Sequence, residues 1–373
     1  MNLFFVFLLS YWLPYFHNDI GAFTSSTGGF STGGEYNVEQ TFNNPASLTN
    51  FSGKKGILSF NYTEGEHYTT FFGEDTTLVY ISNDFFPSLA GFTFSLNDRI
   101  GLGFSYSLPY KMERHSNWIK ERTGESPEGT GREYRYIERK RFHSLNSGVG
   151  WKCNDNFSLG INLSFLLVKY KSGFEYDDGT DNTIPGTLYG IKPSLGFQCF
   201  IGENVTAGFI ISKGYAKGGY ERTYYEYSGG DSVAEITKYY WEKETLPLFV
   251  SVGIGYEITD RIRIFNSIDY TRWGDISYDA EKYAYILEDL ENEIRLHEGF
   301  EFRITPATSI YMGLHNEPYQ YSTTKSSLDQ IFITAGFGFK VKGIKVNLSA
   351  ASSRLIKAAL KRENRYYITV TYE

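Results

Sequence analysis

Long apolar runs, cysteine and surplus positive charge are scarce in this sequence, and each scarcity removes a class of protein. After Phe16 no stretch approaches the roughly 20 consecutive apolar residues of a membrane-crossing helix, and the mean hydropathy is -0.34, which excludes a polytopic helical membrane protein. Cys153 and Cys199 are the whole cysteine complement. They allow one bridge at most, show no metal-type spacing, and read as small apolar side chains on strands. Lys and Arg number 36 against 43 Asp and Glu, a net charge of -7 with the signs interspersed, so there is no basic footprint for nucleic acid. Only six histidines occur, and no Gly-x-Ser-x-Gly elbow. His115 with Ser116 and His143 with Ser144 are sequence neighbours, whose side chains on a strand point to opposite faces. No catalytic group, and hence no enzyme, is read from them, and nothing calls for a cofactor. The oxygen-rich run Asp177, Asp178, Gly179, Thr180, Asp181 and Asn182 lacks the ligand spacing of an EF-hand loop, and a turn accounts for it without a metal.

Aromatic residues and glycine are abundant instead: 30 Phe, 31 Tyr and 5 Trp make 18% of the chain, and 38 residues are Gly. From Ile57 onward, apolar side chains fall on every second position. Ile100, Leu102, Phe104, Tyr106 and Leu108 alternate with Gly101, Gly103, Ser105 and Ser107, and Leu159, Ile161, Leu163 and Phe165 alternate with Ser158, Gly160, Asn162 and Ser164. The same period runs through Val250 to Ile258, Ile331 to Val341 and Tyr366 to Tyr372. A period of two predicts strands with one apolar face. Several segments reach about ten residues, the length of a tilted bilayer-crossing strand, and their second face is Gly, Ser, Thr and Asn. Tyr106, Tyr110, Tyr170, Tyr256, Tyr270, Tyr366 and Tyr372 stand near segment ends, where aromatic girdles belong. The pattern predicts an all-β protein, a transmembrane antiparallel β-barrel in a bacterial outer membrane, with a large soluble β-protein as the competing reading.

Connections give the barrel two unlike ends. Tight turns are read at Asn97 and Asp98, Asn154 and Asp155, Glu203 and Asn204, and Asp260 with Arg261. Lys111 to Arg141, Gly173 to Gly186, Lys217 to Lys243 and Gly274 to Asn292 read as long polar loops at the other end. Pairing loops with turns yields about fourteen strands, give or take two. Within the first long stretch, Arg114, Arg122 and Arg132 are the outer-loop cations able to meet lipopolysaccharide phosphates or a ligand carboxylate, with a solvated loop as the alternative. Ahead of the barrel, the apolar run Leu3 to Phe16, then Asn18, Asp19, Gly21 and Ala22, reads as a secretory signal over residues 1–22, although no Lys or Arg precedes it.

Three stretches resemble the long-chain fatty-acid transporter family of outer-membrane proteins, FadL and its aromatic-hydrocarbon relatives. The first is Gly21, Ala22 and Phe23 with the Ser/Thr/Gly-rich run to Gly34, followed by Asn44, Pro45, Ala46, Leu48 and Phe51. The second is Leu246 and Pro247 leading the strand Val250 to Ile258, then Ile268, Asp269, Tyr270 and Trp273. The third is His297 to Val346, with Asn316, Glu317 and Pro318 between strands. The resemblance implies an N-terminal plug, residues 23–51, inside a barrel of residues 52–373, and passive transport of hydrophobic compounds. It also implies that the partners are a hydrophobic ligand, outer-membrane lipid with lipopolysaccharide, and the barrel assembly machinery. Phe23 and Phe30, the large side chains of that segment, are candidates to contact ligand or to fill the lumen. Asn44, Pro45 and Ala46 are read structurally, since Asn bonds the backbone of a turn whose φ the Pro fixes. A related Asn-Pro-Ala element occurs in barrels resembling the secretion protein PorV, so a secretion or surface-attachment partner is the second reading, and a general porin the third.

Overall fold

The computed structural model describes residues 21–30, 32, 38–70, 76–81, 85–116, 118–120, 133–179, 181–228, 231–275, 292–318, 330–355 and 361–372. The signal read over residues 1–22 lies almost wholly outside them. Strand segments number 18, and four of them continue a neighbour after an interruption, so the wall is a closed antiparallel barrel of 14 strands. These are β1 (Lys54–Thr70), β2 (Thr76–Ile81 and Phe85–Asn97), β3 (Ile100–Ser116 and Ile119–Lys120), β4 (Glu133–Asn154) and β5 (Phe157–Tyr176). Next come β6 (Asp181–Ile201), β7 (Val205–Ser212 and Tyr215–Ser228), β8 (Asp231–Thr245 and Leu248–Thr259), β9 (Ile262–Arg272) and β10 (Glu293–Thr305). The last are β11 (Thr308–Glu317), β12 (Gln330–Val341), β13 (Ile344–Ser352) and β14 (Lys361–Tyr372). Antiparallel pairing of β1 with β14, from Gly56 opposite Tyr372 to His67 opposite Lys361, closes the ring and leaves no free edge.

The tight connections share one end. At the last of them Lys342 (φ 48) and Gly343 (φ 81) both take the left-handed region, the requirement of a two-residue hairpin turn whose twist matches the strands. Two of the interruptions fall where the sequence removes a donor or a side chain. Leu246 and Pro247 split β8 beside Lys213 and Gly214, which split β7, and a bond from Leu246 N to Gly214 O (2.9 Å) bridges the gap.

Burial alternates along the strand stretches whose side chains are described, and the sense of the alternation is inverted relative to a soluble protein. On β5 the outward Ile161 and Phe165 are 61% and 51% exposed, whereas the inward Ser158, Asn162 and Ser164 are buried. Farther from the tight turns the preference changes faces: Leu166 and Val168 point inward and are buried, while outward positions become Lys169 and Lys171. β5 has 20 residues, about twice the 9–11 that cross a hydrocarbon layer. Its first half therefore suits hydrocarbon on the outside, and its second half stands in water with the apolar side turned in.

That extension corrects the loop reading. Lys111–Ser116 is still β3, Glu133–Arg141 is already β4, and most of residues 217–243 is a β7–β8 hairpin. Arg114 accordingly sits on β3, paired with Ile81 and Glu138, and not in a loop, while Arg122 and Arg132 lie outside the described residues. Tyr170, read as a girdle residue, is buried and points inward on the same basis, whereas Tyr256, Tyr366 and Tyr372 are exposed outward. Cys153 and Cys199 are both free.

The face switch on β5 predicts a position-dependent response. Ile161→Arg destabilises the bilayer-inserted barrel by about 2–4 kcal/mol, while Lys169→Ala on the same face stays within about 0.5 kcal/mol. Urea unfolding in phospholipid bilayers measures both.

Candidate functional site

Inside the barrel lies the chain's own N-terminal segment. It comprises α1 (Ala22–Ser26), α2 (Val38–Asn43) and a 3-10 turn (Pro45–Asn50). Every residue from Gly21 to Phe30 is buried although the stretch is short and rich in Ser, Thr and Gly. α1 rests on β11 to β14. Ala22 N donates to Thr369 Oγ1 (2.8 Å), Thr334 Oγ1 donates to Ser26 O (3.0 Å), and His297 Nδ1 on β10 lies 2.6 Å from Gly28 O. His297 Nε2 meets Asp269 Oδ2 at 3.1 Å, so an imidazolium satisfies both oxygens at once.

The 3-10 turn rests on the opposite arc, β3 to β6. Asn44 caps it: Oδ1 accepts from Ala46 N (3.1 Å), while Nδ2 donates to Thr32 O (2.8 Å) and to Phe197 O on β6 (3.1 Å). Pro45 takes the first position, where its missing N–H costs nothing. Thr49 Oγ1 lies 2.9 Å from Ser158 Oγ, and Asn50 Nδ2 donates to Gln198 Oε1 at 2.8 Å. Three hydrogen bonds from one buried amide thus tie the turn to itself, to the preceding segment and to the wall.

Glycine makes the approach possible. Cβ atoms at Gly101, Gly160 and Gly196 would collide with Leu48 O, Ala46 N and Asn44 Oδ1, and at Gly150 one would stand 2.8 Å from Pro45 O. On the other arc a Cβ at Gly299 would stand 2.5 Å from Thr27 O, and Gly313 and Gly336 likewise face Gly28 N and Ser26 Cβ. Glycines on the polar strand face are therefore two beds for the segment's backbone.

Glu39 joins the two halves of the segment. Its buried carboxylate accepts from Phe23 N (3.3 Å), Thr24 N (3.0 Å) and Thr24 Oγ1 (3.2 Å), the free donors at the start of α1. Gly21 leaves the room it occupies. Burial is the dominant influence and pushes the Glu39 carboxyl above its ordinary range, against the backbone donors of Thr24 and Phe23 that pull it down.

Phe23 and Phe30 form one cluster with Phe265 on β9 and Tyr311 on β11. Phe23 stands edge-on to Tyr311 (centroids 5.3 Å) and to Phe265 (5.9 Å), and Phe30 lies 5.0 Å from Phe265. Both rings contact wall residues near the tight-turn end.

Beyond the segment, toward the long-loop end, the lumen has two unlike sides. β9 to β14 carry a buried ionic layer: Arg365 bonds Glu317 through both terminal nitrogens (2.6 and 2.9 Å) and Glu363 through Nε (2.8 Å), and Arg295 pairs with Glu293, which also accepts from Trp273 Nε1 at 3.0 Å. The facing arc is mostly apolar, with buried Leu108, Phe142, Leu166, Val168 and Leu188 around one buried ion pair, Lys140 with Glu138 on β4. Sequence reading missed this layer and Glu39. The signal was the second face of 293–301, where Glu293, Arg295, His297 and Glu301 alternate with Ile294, Leu296 and Phe300.

No family model and no curated protein sequence matches the chain. Solved structures do. A FadL homologue of Pseudomonas aeruginosa aligns with 93% of this chain and 97% of its own at TM-score 0.66 and 15% identity. The toluene transporter TbuX of Ralstonia pickettii covers 96% and 99% at TM-score 0.66 and 12% identity, and the toluene transporter TodX of P. putida 94% and 96% at 0.64 and 13%. The chain has the fold of these barrels.

Two predictions follow from the seating. Gly160→Val and Gly196→Val unseat the 3-10 turn while leaving the wall intact, raising by about tenfold, the equivalent of ~1.4 kcal/mol, the labelling of a Ser25→Cys reporter by a small maleimide in a Cys153→Ser, Cys199→Ser background. For Glu39, a raised folded-state pKa means the folded form holds its proton longer. The contribution is fully present in acid and is lost as pH climbs from the ordinary carboxylate range through the raised value. Labelling of the same reporter, normalised to a cysteine on a tight turn, rises with pH across that window in the parent, and Glu39→Gln flattens the rise.

Proposed function

We propose that the chain is a passive outer-membrane transporter of hydrophobic compounds, long-chain fatty acids or aromatic hydrocarbons, with residues 23–51 as the plug and 52–373 as the barrel. The observation that carries the reading is the inward turn of apolar side chains on the long-loop half of β3 to β6, above a segment seated across the lumen. An open porin needs a polar, water-filled bore, whereas an apolar arc gives a hydrophobic solute somewhere to leave water, about 0.8 kcal/mol per buried CH2. The likeness in fold to a FadL homologue and to toluene transporters agrees.

On this reading the signal read over residues 1–22 directs export and is cut ahead of Gly21, since Gly21 and Ala22 belong to the seated segment, and the barrel assembly machinery inserts the chain with its tight turns in the periplasm. Arg114, Arg122 and Arg132 meet lipopolysaccharide phosphates at the outer end. Solute follows the Leu108, Phe142, Leu166 arc and stops at the plug. Phe23 and Phe30 hold the plug against Phe265 and Tyr311, and they meet solute only once it shifts. Asn44, Pro45 and Ala46 keep the opposite side of the plug anchored. A sideways exit through the wall is the second route on this reading, and Pro87 on β2 and Pro109 on β3, which have no backbone N–H to donate, stand beside the pair Leu89 opposite Ser107. No energy source is required, since transfer runs down a concentration gradient.

Proteoliposomes offered a labelled long-chain fatty acid and a small sugar test the reading. The parent admits the fatty acid and excludes the sugar. Leu166→Asp lowers fatty-acid entry by about tenfold through lost apolar contact without admitting sugar, and deletion of residues 23–34 admits sugar. Sugar entry through the parent makes it a porin, and entry of neither solute through a folded barrel shifts the role to a protein partner.

A further inference from the structure

On β4 and β5 the outer face of the wall changes character at one level. From Phe157 to Leu167 every outward position of β5 is apolar, a stretch of the roughly 9–11 residues that cross a hydrocarbon layer. The next outward positions are Lys169 and Lys171, and directly opposite them on β4 stand Arg141 and Arg139. Arg139, Arg141 and Lys169 are exposed and Lys171 is half-buried. Lys140, Phe142, Val168 and Tyr170, which alternate with them, are buried inward, so all four cations share the outer face.

Two like-charged pairs in succession are an arrangement that sheets avoid, since like charges directly opposite repel. Farther from the tight turns the same two strands show the ordinary solution: Arg135 is opposite Glu175, and its Nε donates to Oε2 at 2.6 Å. Arg141 and Lys169 have no ion-pair partner among the described residues. On the β6 side Lys169 is opposite Thr187 and Lys171 opposite Pro185. On the β3 side Arg139 is opposite Glu113, and Arg141 is opposite Lys111, whose ammonium lies 5.8 Å from the Phe86 ring. One acidic position thus stands in register with four outward cations.

Toward the tight turns the wall is shaped for an acyl chain. His143 comes next on β4, opposite Leu167 and near enough to Lys169 and Arg141 to feel both charges, and its Nδ1 lies 2.6 Å from the Tyr106 hydroxyl. From Tyr106 a groove of about 630 Å³ runs between the exposed Phe92, Phe104, Leu145 and Phe165, where the small outward side chain of Ser147 leaves the face low. At roughly 3.3 Å per residue the Arg141 level is about 13 Å from Leu145.

We infer that this face binds one molecule of lipopolysaccharide, a lipid A phosphate seated between Arg141 and Lys169 with Arg139 and Lys171 beyond it, and an acyl chain in the groove over Ser147. An anion relieves the repulsion that the strands leave unanswered, and phosphate oxygens accept charge-assisted bonds from guanidinium and ammonium together. The level decides the source. On the functional reading above, the end of the apolar band away from the tight turns is the outer leaflet, where the anionic head group is that of lipid A. The inference rests on that membrane placement, adds a site on the wall to the outer-loop cations named there, and is independent of what crosses the lumen.

The full-length barrel in mild detergent, titrated with bisphosphorylated lipid A, fully dephosphorylated lipid A or phosphatidylglycerol and read by native mass spectrometry, tests it. One bisphosphorylated lipid A is expected to bind at least about tenfold more tightly than either of the others. Arg141→Gln with Lys169→Gln brings it level with the dephosphorylated form. Ser147→Phe, which fills the groove, lowers its affinity by about tenfold, the loss of roughly two buried methylenes. Arg135→Gln, on the same face but already answered by Glu175, leaves it unchanged. Removing like charges does not weaken the wall, so the double variant unfolds at or above the parental temperature in lipid-free detergent. Gel heat-modifiability is scored on every sample, and Lys169→Gln alone serves if the double variant does not fold. Parental lipid A binding by the folded charge variant or by folded Ser147→Phe overturns the inference, as does equal binding of all three lipids by the parent. Failure of the parent to insert into liposomes overturns the membrane reading instead.

Discussion

The N-terminal segment lies directly against the backbone of the barrel wall, and that approach depends on seven places where the wall has no Cβ. Gly101, Gly150, Gly160 and Gly196 receive the turn from Asn44 to Leu48, and Gly299, Gly313 and Gly336 receive Ser26 to Gly28. In a closed barrel the strands satisfy one another's amides and carbonyls. The inward surface can then be shaped by side chains alone, and here it is shaped by omitting them. Several of the segment's polar groups are bonded by wall hydroxyls, amides and one histidine, including Thr369, Thr334, Gln198 and His297. A short, Ser- and Gly-rich stretch that could not form a core of its own is thus fully buried by borrowing one.

The division of the lumen follows from the same economy. On β9 to β14 the residues above the segment are charged, and a buried charge is tolerable only when paired. Arg365 with Glu317 and Glu363, and Arg295 with Glu293, meet that condition inside the wall itself, leaving a rigid, nearly neutral surface. The facing arc carries one such pair, Lys140 with Glu138, and its apolar side chains stand where the strands have risen past the hydrocarbon layer. The larger apolar surface thus lies on one side of the bore, while the segment is seated on both.

Much of the architecture was legible in the sequence because a period of two is a strong physical signal when one face meets hydrocarbon and the other a polar lumen. Ile161 and Phe165 against Asn162 and Ser164 show it, and the count of about fourteen strands agrees with the 14 present. The long polar stretches misled, since strands that continue into water lose the apolar outward face by which they were recognised. Lys111–Ser116 and Glu133–Arg141 are strand for that reason, with Arg139 and Arg141 outward, Lys140 paired with Glu138 inside, and Phe142 or Leu166 turned in farther along. The site was less legible. Asn44 and Pro45 stood out because their turn chemistry is local. Glu39 and the glycine beds did not, because their partners lie far away in sequence, and a Gly on a strand looks the same whether it fits a backbone or merely alternates.

One bond carries a consequence for how the molecule is made. Ala22 N reaches Thr369 Oγ1 across 347 positions, so the first described residues of the chain are satisfied by its last strand. Loop-closure entropy must be met before such a contact gives anything back. The segment is synthesised first and seated last, its docking waiting on closure of β14 against β1. Closure of the wall and seating of the segment are then coupled, and a barrel whose final strand is unpaired offers Ala22 no bond at Thr369.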